Sequence, residues 1–279
     1  MSAVYEMPGN RNLDEIGYYD YAATMGIPYF HWGGLSASDR IAELLAINNN
    51  TRVLVVGCGT GYSACRIAKN TGCHLIGVDI SAEMIKGAQK RATEWGLEDH
   101  VEFREGNAYK LDFHDAEFDV LMTEFVSVFL ERPRVFREFV RVLRPDGKLG
   151  VNELFLADEI PAEVRPKIER ALEGFEQAVG LPINIPTMSE WKTYFAEAGL
   201  GSISQEIVDY KYRIRETKNT MGGTWRLLRI IGRVTWDMAS NGDFRRRMTP
   251  IGRLSGVLVR NRETRGYAGA VICVGTKPA

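Results

Sequence analysis

Histidine is scarce in this chain and its cysteines are badly spaced for metal or disulfide chemistry. Its 279 residues hold four histidines and four cysteines, Cys58, Cys65, Cys73 and Cys273, with no CxxC pair. No two histidines stand at metal-ligand spacing, so no metal site is expected and no disulfide framework either. Reduced thiols in a cytoplasmic setting are the simpler expectation. Charge of one sign is also missing. With 35 basic and 36 acidic residues the net charge is −1, so no global field recruits nucleic acid. No apolar run approaches the roughly 18 residues that span a bilayer. The first thirty residues are polar and aromatic, without the basic-then-apolar order of a secretory leader. Gly-x-x-x-x-Gly-Lys-Ser/Thr does not occur, which excludes a P-loop NTPase. Internal repeats and low-complexity segments are absent as well.

What is present is an alternation of β-branched runs and amphipathic stretches from Thr51 to about Phe155. Strands are expected over Arg52–Val56, His74–Asp79, Val101–Arg104, Phe118–Met122 and Lys148–Leu154. Helices are expected over Tyr62–Lys69, Ser81–Trp95 and Pro133–Leu143, with Ser81 as a cap, Gly96 as a stop and a turn at Arg144-Pro145-Asp146-Gly147. Strands separated by helices of these lengths imply a parallel sheet with right-handed crossovers. Ahead of the alternation lie an aromatic arm (Tyr18, Tyr19, Tyr21, Tyr29, Phe30, His31, Trp32) and a helix over Ala37–Ile47, for which Ser36 and Asp39 have capping-box spacing. After it come helices around Ala162–Ala178 and Ser189–Ala198, a strand at Ile203–Val208 and a last strand at Tyr267–Gly275. The stretch 211–266 between those strands is too long for a bare loop and must carry structure of its own. The expected organisation is an arm and helix over 1–50, a core over 51–157, a helical lid over 158–202, and completion of the sheet over 203–279.

The glycine cluster Gly57-Cys58-Gly59-Thr60-Gly61 follows a buried strand and opens a helix. Glycine permits sharp backbone turns and close approach of a ligand, and a helix start offers free N–H groups. Spacing separates the options. Dinucleotide folds favour G-x-G-x-x-G/A, whereas Tyr62 here follows Gly61. That argues against an oxidoreductase of the same topology. Asp79 ends the second strand, where a carboxylate can accept hydrogen bonds from two ribose hydroxyls.

VLVVGCGTGYSA, GVDISAEMI, FREGNAYKLDF, EFDVLMTEFV and LRPDGKL occur in that order across residues 51–155. Together they resemble the class I S-adenosylmethionine-dependent methyltransferases, in particular the small-molecule branch with the ubiquinone/menaquinone-type enzymes. The resemblance implies a Rossmann-like α/β fold: a seven-stranded, mostly parallel sheet with its last strand antiparallel, an N-terminal aromatic arm and helical lid insertions. It implies S-adenosylmethionine as cofactor, with Gly57, Gly59 and Gly61 against its methionine and ribose parts and Asp79 on the ribose. Ile80 would pack on the adenine. Asn107 and Ala108 fall where the family contacts the adenine edge, although the family commonly has Asp at the first position; an amide oxygen can still accept there. Glu124 would lie beneath the sulfonium, and Tyr19 would belong to a cover over the cofactor.

Methyl transfer from a sulfonium is an in-line displacement for which the protein chiefly aligns the groups and excludes water. A base is needed only where the nucleophile carries a proton. Glu124, Glu153, His31 and Tyr21 are the candidates, although Glu153 could instead bind a substrate cation or cap the next helix. Tyr19, Tyr21, Tyr29 and Trp32 form either a lid, an aromatic box for a cationic amine, or a stripe packed on the sheet. The absence of Asn/Asp-Pro-Pro-Tyr/Phe near Thr123–Val126 argues against amino methylation of adenine or glutamine. A Pro-Cys nucleophile for DNA cytosine is absent too. The acceptor is expected to be a small molecule, hydrophobic or lipid-like among the options, and the alternative is a non-catalytic cofactor-binding or regulatory protein on the same fold. Within the insertion, Arg226, Arg229 and Arg233 share a helical face opposite Leu227, Leu228, Ile231, Val234 and Met238, and Arg245-Arg246-Arg247 follow. Residues 225–247 thus read either as a peripheral membrane contact or, by preference, as a lid or homodimer helix with a solvated face.

Overall fold

In the computed structural model, residues 13, 17–25, 33–208, 223–257 and 261–279 are described, the side chains of residues 20, 23 and 255 apart. Tyr29, Phe30, His31 and Trp32 of the arm lie outside the described residues. Seven strands form one sheet in the order β3-β2-β1-β4-β5-β7-β6. They are β1 (Arg52–Val56), β2 (His74–Asp79), β3 (Val101–Glu105), β4 (Phe118–Glu124), β5 (Leu143–Leu156), β6 (Gly201–Val208) and β7 (Ala268–Thr276). β1 through β5 pair in parallel, while β7 runs antiparallel to both β5 and β6. This is the Rossmann-like sheet the sequence led us to expect, its last strand reversed.

The described helices are α1 (Tyr18–Thr24), α2 (Gly34–Leu44), α3 (Tyr62–Thr71), α4 (Ala82–Trp95), α5 (Arg132–Val142), α6 (Arg165–Val179), α7 (Met188–Glu197), α8 (Thr224–Ser240) and α9 (Gly242–Ser255). Because central strands are apolar on both faces, each face needs cover. Ile41 and Leu45 at α2, Cys65 and Ile67 of α3 and Ile85 of α4 bury one side. Phe136 and Phe139 of α5 and Trp191 and Phe195 of α7 bury the other. In the region from 158 to 202, α7 therefore serves the sheet core: the Trp191 indole N–H also donates to the Leu154 carbonyl on β5 at 2.9 Å.

Local signals set most boundaries. The Ser81 hydroxyl accepts from Met84 N–H at 3.3 Å, and Gly96 ends α4 in the left-handed conformation. Two expectations need correction. Helix α2 begins at Gly34 behind a left-handed Gly33, with no side-chain cap. Asp39 is not a cap residue because Arg66 of α3 takes both its oxygens, at 2.8 and 2.7 Å, a charged pairing that local spacing cannot reveal. Residues 144–147 are not a free turn either. Asp146 does adopt a positive φ of 62°, but Asp146 N–H donates to the Lys277 carbonyl and Lys277 N–H to that of Gly147. The turn is thereby stitched into the start of β5. In the insertion, α8 and α9 form a helical pair joined at Asn241, whose side chain accepts from Phe244 N–H at 2.8 Å.

Candidate functional site

A cleft of about 440 Å³ opens at the carboxyl ends of β1, β2 and β4, where open parallel sheets place ligands. β1 enters the glycine loop, and Gly57 N–H and Cys58 N–H both donate to the Val78 carbonyl on β2, at 2.8 and 3.0 Å. The three glycines then divide the work. Gly57 has φ 72°, and a Cβ there would lie 2.2 Å from the Val126 side chain. Gly61 also has φ 72°, and its Cβ would meet Ala88 of α4 and Phe103 of β3 at 2.8 Å. Gly57 and Gly59 line the cleft, while Gly61 gives close helix–sheet packing of α4 and β3 against the loop. Only Gly59 faces open space, with nothing within 4 Å of where its Cβ would stand.

Asp79 bridges this loop and α4. Its Oδ2 accepts from Gly59 N–H at 2.9 Å and its Oδ1 from Ser81 N–H at 3.0 Å. Ile80 beside it is 79% exposed on the cleft rim, an apolar surface suited to a flat ring. Ala108 and Asn107 line the same end. The Asn107 amide oxygen, expected to face adenine, accepts the Tyr109 N–H at 2.9 Å, leaving it one lone pair.

Glu124 forms the floor. Ser38 of α2 donates to its Oε1 at 3.0 Å and Asn152 of β5 donates from its amide at 3.1 Å, while Ser38 also meets Ser63 of α3 at 3.2 Å. Donors from α2 and β5 thus hold the Glu124 carboxylate, with Ser38 tied in turn to α3. Ser38, Ser63 and Asn152 escaped sequence reasoning; the only signal was Asn152-Glu153, two polar residues within an apolar strand. Directly after Glu124, Phe125 takes a positive φ of 58°, strained for a bulky residue. This bend carries Phe125 to Leu130 along the cleft wall. Phe129 meets Phe125 at 5.5 Å, Tyr19 at 6.1 Å and Phe175 at 6.4 Å between ring centres. Tyr19, Phe125 and Phe129, together with Leu130 and Leu181, make one end of the cleft aromatic and apolar, with Phe175 packed behind them.

Glu153 is not in the cleft lining. It is buried behind that wall, where its Oε1 accepts from Val126 N–H, Ser127 N–H and the Ser127 hydroxyl at 2.9, 2.7 and 2.9 Å. Burial pushes its carboxyl up to about 7. It anchors the bend from behind, through Val126 of the cleft wall and Ser127. Arg132, also buried, ties the Ser127 and Asn184 carbonyls together at 3.0 and 2.9 Å. Tyr21 lies outside the cleft lining: its hydroxyl donates to Asp237 of α8 at 2.9 Å, and its ring packs on Phe244. Tyr19 does line the cleft. Burial, with smaller pushes from Tyr18 and Glu153, raises its hydroxyl above the ordinary phenol range, which keeps it neutral. Among the described residues no group of three metal-ligating side chains occurs.

Residues 53–147 match the family model described as a methyltransferase domain. A phosphatidylethanolamine N-methyltransferase of Cereibacter sphaeroides is 36% identical over 153 residues, covering 54% of this chain and 73% of that protein. The chain belongs to the class I S-adenosylmethionine-dependent methyltransferases. The 27-O-demethylrifamycin SV methyltransferase of Amycolatopsis mediterranei is 32% identical over 182 residues, 65% of each chain. The solved cyclase SpnF superposes with a TM-score of 0.69 at 21% identity, covering 96% of this chain and 98% of that one; at that identity the likeness is one of fold. Of eight curated relatives it matches, the chain spans between 32% and 74% of their length. No helix among the described residues is long and apolar enough to cross a membrane.

Proposed function

We propose that this chain methylates a small, largely apolar acceptor held against the wall of Tyr19, Phe125, Phe129, Leu130 and Leu181. The observation that carries this reading is the division of one cleft into two ends: a polar end built on Gly59 and Asp79, and an apolar aromatic end, with Glu124 between them. Gly59 leaves room for a ligand where a side chain would intrude, and exposed Ile80 offers the apolar surface an adenine ring would cover. These residues fit the cofactor. In this reading Asp79 holds the ribose hydroxyls, Ile80 and Ala108 sandwich the base edge with Asn107, and Gly57 and Gly59 lie along the methionine part.

S-adenosylmethionine supplies an electrophilic methyl group on a cationic sulfonium. Glu124 places a fixed negative charge under that end of the cleft, and Ser38 and Asn152 hold the carboxylate so that it need not reorganise. The aromatic wall excludes water and orients the acceptor in line with the methyl group. Where the acceptor sheds a proton, Glu124 is the carboxylate between the two ends and is the proposed base; His31 lies outside the described residues. The rifamycin and phosphatidylethanolamine enzymes among the relatives are named for bulky or lipid acceptors, in keeping with an apolar end. Four free cysteines and a near-neutral charge fit a cytoplasmic enzyme that binds no nucleic acid.

Calorimetry with S-adenosylhomocysteine tests the polar end: Asp79→Asn is expected to weaken binding about tenfold or more, and an unchanged affinity overturns the ribose assignment. The fold is shared with a cyclase, so a second reading keeps the cofactor without turnover. It predicts binding but no S-adenosylhomocysteine released against a panel of amines, phenols, thiols and lipids.

A further inference from the structure

Helix α8 (Thr224–Ser240) has three faces. Ile230, Val234 and Met238 point inward onto Tyr21, Met25 and Phe244. At 100° per residue Trp225, Leu228, Ile231 and Trp236 gather on a second face, and they are 83%, 52%, 52% and 68% exposed. Arg226 and Arg229, both exposed, run as a stripe between the two. Apolar side chains of this size are rarely left together in water.

We infer that this face lies on an anionic lipid surface, the tryptophans and aliphatic residues entering the headgroup boundary while Arg226 and Arg229 meet the phosphates. Charge selects that occupant. The α8–α9 pair, residues 224–255, holds seven arginines and two aspartates although the whole chain is at −1. One of those aspartates, Asp237, is buried and already engaged by Tyr21 and Arg233; the other, Asp243, pairs with Arg246 of its own helix. Helix α8 therefore has no exposed acid to answer its arginines. A symmetric contact between two copies through this face would bring like stripes together, whereas a lipid surface supplies the missing anions. Tryptophan is also the side chain most at home where apolar and wet layers meet. The Tyr21–Asp237 hydrogen bond ties α8 to α1, which carries Tyr19 into the cleft, so a docked α8 would set the cleft beside the surface.

Co-sedimentation of the full chain with vesicles of phosphatidylcholine alone, or mixed with phosphatidylglycerol, tests the inference. Binding is expected only to the mixed vesicles and is expected to fall with added salt. Trp225→Ser with Trp236→Ser should cut it about tenfold or more. Arg226→Glu with Arg229→Glu should cut it at least about 25-fold, since each arginine near such a surface is worth about fivefold. Unchanged melting temperature and circular dichroism would show that the variants fold. Equal binding to both vesicle types, or to neither, overturns the proposal. So does a concentration-dependent dimer that the double serine variant dissociates, which would assign the face to a second copy.

Discussion

Glu153 is a fully buried carboxyl on β5, and its chemistry follows from that position. Three donors converge on one oxygen, while the other meets no partner among the described residues. Burial outweighs those hydrogen bonds and holds the carboxyl near 7, above the 4.5 of an ordinary glutamate. The folded protein thus binds more protons than the unfolded chain between those values. The stability this group contributes is complete below about pH 4.5 and is lost as pH rises through 7. By calorimetric melting, the advantage of wild type over Glu153→Gln is expected to shrink from pH 5 to pH 8, by roughly 3 kcal/mol at most. Parallel curves for the two proteins would place the proton elsewhere. The strand pattern made Glu153 visible as an oddity, but only the folded bend at Phe125 shows what it holds.

Among the helices, α1 is short and gains its place from others. Tyr21 reaches across 216 positions to Asp237, and Arg233 binds the same carboxylate. A hydrogen bond to a buried charge commonly contributes about 1.5–3 kcal/mol. Tyr21→Phe is therefore expected to lower unfolding free energy in urea by about that much, while the pH profile of kcat/KM stays unchanged. A base at Tyr21 would instead cost about a hundredfold or more in kcat, so the two measurements separate tether from catalyst. An aromatic-rich arm could be recognised from composition, yet its tyrosines part company in space: Tyr19 turns to the cleft and Tyr21 to α8. Residue spacing along seven positions does not carry that difference, because it depends on a helix more than two hundred residues away.

The sheet as a whole links these parts, since the loop after β1, the bend after β4 and the carboxylates of Asp79 on β2 and Glu124 on β4 all meet at the carboxyl ends of its central strands. A ligand there should stabilise the entire domain. S-adenosylhomocysteine at a hundred times its Kd is expected to add about 2.7 kcal/mol, a rise of about 5 °C in Tm for a chain of this size. No rise by differential scanning fluorimetry would contradict binding in the folded state. The succession of strands and helices was legible in the linear chain, because short-range patterns of burial, turn and cap residues dictate it, and the cofactor class followed from the resemblance of the ordered motifs to a known family. The separate duties of three adjacent glycines were not, since Val126, Ala88 and Phe103 come from three other elements. Nor were the clamp on Glu124, the loss of Asp39 as a cap to Arg66, or the outward turn of Trp225 and Trp236. Local periodicity says which residues share a face. Only tertiary packing decides what that face meets, because contact energies between distant segments outweigh the preferences of any one of them.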